Sequence, residues 1–287
     1  MQIKDRTFIV SGGSSGLGLA TVITLLENGA NVSILDINPP PASALAQFPS
    51  SRTLFTKTDV SSSSSLQTAV KNTIQWITKS ANPAPLSGTI CSAGIGTAAL
   101  SLPKQAPDAT HETVKYMDMA DFDRTLGINL RGTVDLIRLT LPHMALNKPW
   151  GEDGERGIVV VVASVAAYEG QVGQLAYSAS KGGVASIVLP LARELGQKAG
   201  IRVLGIAPGA FQTGMTVSTS KPGASGQAKP KGSTANRAAI NSEMLQYPKR
   251  MGKGEEFARL VRDMVENPML NGQVIRLDGA VRLPTRL

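Results

Sequence analysis

The chain has 287 residues, a formal charge of +8, a single cysteine and few aromatic residues. That length fits one α/β domain or two small ones, a lone Cys91 excludes an internal disulfide and fits a reducing compartment, and the longest apolar run, residues 158–163, is far too short to span a bilayer. The basic residues are dispersed except between Lys221 and Lys253, and scarce aromatics argue against base stacking, so the charge suits a soluble protein with a polyanionic small ligand better than a nucleic-acid binder.

In chain order, residues 1–6 lead directly into an apolar strand at 7–10, leaving no room for a signal or transit peptide. A helix is expected at 16–28, with Leu17, Ala20, Val22, Leu25 and Leu26 on its apolar face and Gly29 ending it. Strands follow at 31–35 and 53–57. The serine run 61–65 offers N-caps for a helix at 66–78. A fourth strand is expected at 89–91 and a long helix at 121–146, interrupted by Gly127, Gly132 and Pro142. Residues 158–163 are so uniformly apolar that both faces must be covered, as in a parallel sheet. A helix at 177–199, a strand at 201–206, a helix at 254–266 and a strand at 273–277 complete the pattern. This alternation predicts one doubly wound parallel α/β sheet spanning residues 1–287. Two segments break it: a Pro-rich insertion at 96–119, and a Ser/Gly/Lys/Pro-rich stretch at 218–235, read as a flexible loop within about 215–250.

The chemistry concentrates at four places. The run Ser11-Gly12-Gly13-Ser14-Ser15-Gly16-Leu17-Gly18 lies between a strand and a helix, where glycines let backbone approach a pyrophosphate and the helix N-terminus offers N–H donors. Its Gly12, Gly16 and Gly18 spacing differs from the common GxGxxG form. Asp36 ends the second strand, where a carboxylate accepts from an adenosine ribose and repels a 2′-phosphate; with no Arg or Lys in the glycine loop, NAD is preferred over NADP. Asp59 and Val60 follow the third strand, where they are expected either to meet an adenine edge or to form a helix-capping region. Finally, Tyr177 and Lys181 stand four apart on one helix, 13 and 17 residues after Ser164 and 48 and 52 after Asn129. A phenol beside an ammonium is expected to have a lowered pKa suited to proton exchange with an alcohol or ketone. Ser164, at a strand's carboxyl end, faces the ligand crevice, and Asn129 holds a water or simply packs. A serine hydrolase is excluded because Ser164 lacks a GxSxG elbow and both histidines, His111 and His143, precede it. No metal-ligand spacing is present.

Together with Ser92-Ala93-Gly94 and Pro208-Gly209, these residues resemble the short-chain dehydrogenase/reductase family over nearly the whole chain. The family's Asn-Asn-Ala-Gly is here Cys91-Ser92-Ala93-Gly94, which is expected to weaken one loop-stabilising contact. Residues 163–183 and 271–280 further resemble the branch of that family that oxidises 3-hydroxyacyl-CoA thioesters with NAD as homotetramers. The resemblance implies Ser164, Tyr177, Lys181 and Asn129 as catalytic residues. It implies a cofactor site of Gly12, Ser14, Ser15, Gly16, Leu17, Gly18, Asp36, Asp59, Val60, Ala93, Gly94, Tyr177, Lys181, Pro208, Gly209 and Thr213. Gln171 and Gln174 are expected at the substrate wall, with self-satisfied loop amides an equal reading. The implied role lies in fatty acid metabolism inside the cell, with cytoplasm, mitochondrion and peroxisome all open; Thr285-Arg286-Leu287 resembles a peroxisomal tripeptide only loosely. Because 96–119 and 216–247 depart from that branch, a reductase of secondary-metabolite or polyketide ketones stays open. So does a non-catalytic NAD-binding or RNA-associated protein on the same fold.

Overall fold

The computed structural model describes residues 1–80, 83–213 and 245–282. The flexible stretch expected at 218–235 and the C-terminal tripeptide therefore lie outside the described residues. Seven strands form one parallel sheet in the order β3-β2-β1-β4-β5-β6-β7: β1 Thr7–Ser11, β2 Asn31–Asp36, β3 Thr53–Lys57, β4 Leu86–Cys91, β5 Gly157–Val162, β6 Ile201–Pro208 and β7 Val274–Leu277. The helices are α1 Gly16–Glu27, a short α2 Ala42–Leu45, α3 Ser63–Lys79, α4 Met119–Leu126, α5 Gly132–Ala145, α6 Leu175–Ser186, α7 Val188–Ala199 and α8 Gly254–Glu266.

The apolar strand β5 is fully buried, and its side chains divide between two cores. Ile158, Val160 and Val162 pack with Val22, Leu26, Phe257 and Val261 of α1 and α8. Val159 and Val161 pack with Leu66, Leu136, Met144 and Val184 of α3, α5 and α6. The period of two along a strand thus covers both faces of the sheet with helices, the outcome that a continuous apolar run requires.

Several expected elements differ in extent. Strand β4 starts at Leu86 rather than 89, because Ser87 and Gly88, poor strand formers, are buried against neighbours: a Cβ on Gly88 would stand 2.3 Å from the Phe8 ring. The helix expected at 177–199 is two, meeting at Ile187; Pro190 has no N–H to give Ser186. The helix expected at 121–146 is α4 and α5 joined by a wide π-type turn, Gly127–Arg131, which carries the buried Asn129. Gly29 does end α1, at φ 88°, and Ser62 caps α3 by accepting from Ser65 N. The insertion after β4 holds itself together: the Gln105 amide donates to Pro103 O and Lys115 O and accepts from Lys115 N, and Ala99 N donates to Gly173 O at 2.8 Å.

Candidate active site

Strand order reverses between β1 and β4, so the loops at their carboxyl ends part and leave a crevice. A cavity of about 480 Å³ opens there. One wall is the glycine loop between β1 and α1, with Gly12, Ser15, Gly16, Leu17 and Gly18 on the cavity. The loop is a tight turn with no room for a side chain at Gly12 or Gly18: a Cβ on Gly18 would lie 2.1 Å from Gly12 O, and one on Gly12 would lie 2.8 Å from the Ala93 backbone. Gly16, at φ 53°, faces only Thr213 at 3.5 Å, which leaves its backbone open to the cavity. Ser14 does not line the cavity, and its buried Oγ has no hydrogen-bond partner. An open backbone cradle at a helix N-terminus with an unsatisfied hydroxyl beside it fits the pyrophosphate of a dinucleotide.

The far end of the cavity is acidic. Asp36 Oδ2 accepts from Ser14 N at 3.1 Å and Oδ1 from Asn38 N at 3.2 Å, which fixes the carboxylate at the mouth of β2. Asp59 and Val60 stand beside it on the cavity. Asp59 Oδ1 accepts from Ser61 N and Ser61 Oγ at 2.9 and 2.7 Å, so the carboxylate is oriented before any ligand arrives. The turn after β4 is held without the family's asparagines: Ala93 N donates to Ser11 Oγ and Ser92 N to Ser11 O, both at 3.2 Å. Ala93 and Gly94 line the cavity, as do Pro208, Gly209 and Thr213 from the end of β6.

The reactive groups lie at the centre. Ser164 follows β5 directly, and its Oγ accepts from Ala166 N at 3.1 Å, capping a single 3₁₀ turn, Val165–Ala167. Tyr177 and Lys181 lie one turn apart on α6 and both reach the cavity. Burial pushes the Tyr177 phenol above its ordinary range, while its hydrogen bond with the Ser164 side chain pulls the other way. Lys181 is buried, donates from Nζ to Val162 O at 2.7 Å and stands 5.9 Å from the Tyr177 ring centroid. Desolvation lowers its pKa to about 8. The expectation of a lowered Tyr177 pKa is therefore corrected for the free protein: burial favours the neutral form of both groups, and for Tyr177 it outweighs the opposing hydrogen bond with Ser164.

Asn129 does not line the cavity; it stands behind it. Its Oδ1 accepts from Ile95 N at 2.8 Å, and its Nδ2 donates to Ile95 O at 2.9 Å and Ser180 Oγ at 3.0 Å. Ser180 in turn donates to Tyr177 O at 2.8 Å. Both amide hydrogens are committed to tying the Gly94–Ile95 turn to α6, so a water held by Asn129 would have to meet an oxygen. Gln171 and Gln174 lie outside the cavity wall and bond to each other, Gln174 Nε2 to Gln171 Oε1 and Gln171 N to Gln174 Oε1, both at 3.3 Å. Sequence reasoning missed the exposed Arg124 on α4 and Phe211 after β6, both on the cavity. Neither sits in a motif; long-range packing brings them there. Cys91 is buried, with its thiol pushed up to about 12 by desolvation, so it packs rather than reacts. Among the described residues no cluster of His, Cys, Asp and Glu is built to hold a metal, and no helix is long and apolar enough to cross a membrane.

The family model described as short chain dehydrogenase matches residues 6–223. Human 3-hydroxyacyl-CoA dehydrogenase type-2 is 37% identical over 284 residues, covering 98% of this chain and 97% of that one. Ipsdienol dehydrogenase of Ips pini is 32% identical over 98% and 99%. The crystal structure of 3-hydroxyacyl-CoA dehydrogenase type-2 from Mycobacterium avium superposes with a TM-score of 0.79 at 32% identity, covering both chains fully.

Proposed function

The chain belongs to the short-chain dehydrogenase family and is an oxidoreductase; from that premise we propose that it interconverts 3-hydroxyacyl-CoA and 3-oxoacyl-CoA with NAD. The observation that carries the reading is the convergence of Ser164, Tyr177 and Lys181 on the same cleft as the glycine loop, with Tyr177 and Lys181 one turn apart on α6. The bound dinucleotide supplies a hydride to the carbonyl carbon, or accepts it from the alcohol carbon. The glycine loop and the N-terminus of α1 hold its pyrophosphate, and Asp36, with both oxygens oriented by backbone N–H groups, receives a ribose diol but repels a 2′-phosphate. Tyr177 gives its phenolic proton to the nascent alkoxide in reduction and takes the alcohol proton in oxidation. Ser164 donates to the reacting oxygen and stabilises its developing charge. Lys181, charged below about pH 8, holds the nicotinamide ribose and favours the phenolate during turnover.

The acyl-CoA assignment draws on the relatives' names and on net positive charge, to which a polyanionic substrate is attracted. Of the basic residues between 221 and 253, Arg250 is already engaged: it grips Glu256 at 2.6 and 2.8 Å, and that contact holds Glu256 at about 2. Lys221, Lys229, Lys231 and Arg237 lie outside the described residues. A homotetramer in a reducing intracellular compartment completes the proposal. The second reading, a reductase of free ketones, is favoured by the likeness to ipsdienol dehydrogenase at nearly full coverage and by the insertion after β4. Nicotinamide absorbance measured with acetoacetyl-CoA and with a CoA-free ketone of similar acyl shape separates them. The thioester should be preferred, with a KM that rises with ionic strength. A preference for the free ketone, insensitive to salt, would install the second reading.

A further inference from the structure

We infer that Arg276 is a positioning residue for this reaction: through Glu169 it fixes the turn that carries Ser164, and through Asp278 it braces the Pro208–Gly209 turn across the same cleft. The inference rests on the reading of Ser164 as the group that orients the reacting oxygen, and it assigns a task to the end of β7.

The turn after β5 is short and its bonds are local. Ala167 N donates to Ser164 O, and Tyr168 N and Glu169 N both donate to Val165 O, at 2.9–3.0 Å. Glu169 therefore closes the turn whose first residue is Ser164. Its Oε1 is held by Arg276 Nη1 at 2.7 Å. The other edge of the same guanidinium grips Asp278 Oδ2, from Nε at 2.8 Å and Nη2 at 2.7 Å, and Nη2 also reaches Val281 O at 3.2 Å. Asp278 abuts the cofactor side: a Cβ on Gly209 would stand 2.8 Å from Asp278 Cβ, and Gly209 N donates to Leu277 O at 3.0 Å. Arg276 also stands over the Tyr168 ring, 5.7 Å from its centroid.

The three side chains are partly buried, at 26% for Arg276, 21% for Glu169 and 8% for Asp278, so solvent screens them less than a surface pair. Arg282 touches the same two carboxylates at 3.4 Å but is 64% exposed, which makes it an auxiliary. A planar fork serves two carboxylates in fixed directions, one of them through two N–H groups; an ammonium has donors for both but no rigid bidentate geometry. The consequence is a rigid bridge between the groups that flank the reacting carbon on its two sides.

The test uses the full chain and the variants Arg276→Lys, Glu169→Gln and the double variant. Their kcat is measured with acetoacetyl-CoA and NADH, their NADH affinity by fluorescence, and their amide hydrogen exchange over residues 166–169. Misplacing a reacting group by a fraction of an ångström is expected to cost about tenfold in kcat. Each single variant should lose that much while NADH affinity changes by less than about threefold, and the double should lose no more than the worse single, because Arg276→Lys already loosens the link that Glu169→Gln cuts. Exchange at 166–169 should quicken in both singles and stay unchanged in β1. Near-normal kcat in both singles, losses that multiply in the double, or unaltered exchange would overturn the inference. If the unaltered protein reduces no 3-oxoacyl-CoA, the substrate reading has failed, and the exchange measurement alone decides this one. Glu169→Gln, a neutral and near-isosteric change, keeps the test intact should Arg276→Lys fold poorly.

Discussion

Tyr177 carries the account at the level of single residues. Its hydroxyl is the only proton carrier proposed within hydrogen-bond reach of Ser164, and Tyr177→Phe deletes it while leaving the ring to pack. Turnover should fall by ~10²–10⁴-fold with NADH affinity retained; turnover within a few-fold of normal would refute the assignment. Lys181 makes a second, thermodynamic claim. Its folded pKa is about 8 against an ordinary 10.5, so between those values the unfolded chain binds more protons than the folded one. Stability must then rise with pH across about 8 to 10.5, and below about 8 the penalty for the buried charge is fully present, on the order of 3 kcal/mol. Lys181→Met removes that penalty and forfeits the bond to Val162 O, on the order of 1 kcal/mol. Thermal unfolding should show the pH slope abolished and stability at pH 7 equal or higher, in an inactive protein. A clear loss of stability at pH 7 would mean that Lys181 is structural. Tyr177 and Lys181 at one helical turn and Ser164 at a strand end were legible in the sequence as candidates, and the structure brings all three to one cavity. Their ionisation was not legible, because desolvation depends on what the rest of the chain packs around them.

Among the elements, the glycine loop is the most demanding piece of backbone. A Cβ at Gly18 would meet Gly12 O at 2.1 Å, with no flexible side chain to yield, so Gly18→Ala must open the turn between β1 and α1. Dinucleotide affinity is expected to fall at least tenfold, about 1.4 kcal/mol, with circular dichroism unchanged; retained NADH binding in titration would show that the loop is not the phosphate cradle. All seven strands and the main helices were readable from apolar periodicity, since each buries a face with period two or 3.6. What escaped is instructive. The start of β4 hides in Ser87 and Gly88, residues that read as turn formers and are held in the strand by Phe8 and the neighbouring β-strands. The π-type turn at Gly127–Arg131 depends on packing around the buried Asn129 rather than on local propensity, whereas the break at Ile187 has a local cause, Pro190. Arg124 and Phe211 reach the cleft only because distant segments meet there. The same is true of the Arg276 bridge, whose partners Glu169 and Asp278 are separated by more than a hundred residues of sequence.

At the scale of the whole molecule, one sheet gathers the loops after β1, β2, β3, β4, β5 and β6 at a single edge, and one cleft there brings together Asp36 and Asp59, the glycine loop, and Ser164, Tyr177 and Lys181. Net positive charge adds an attraction for a substrate that itself carries phosphates. The measurement that tests this most directly is the steady-state reduction of acetoacetyl-CoA by NADH and, in parallel, by NADPH. The account predicts turnover with NADH and a kcat/KM at least tenfold lower with NADPH, the discrimination collapsing in Asp36→Ala. Absence of thioester turnover with either cofactor, or a preference for NADPH in the unaltered protein, would contradict it.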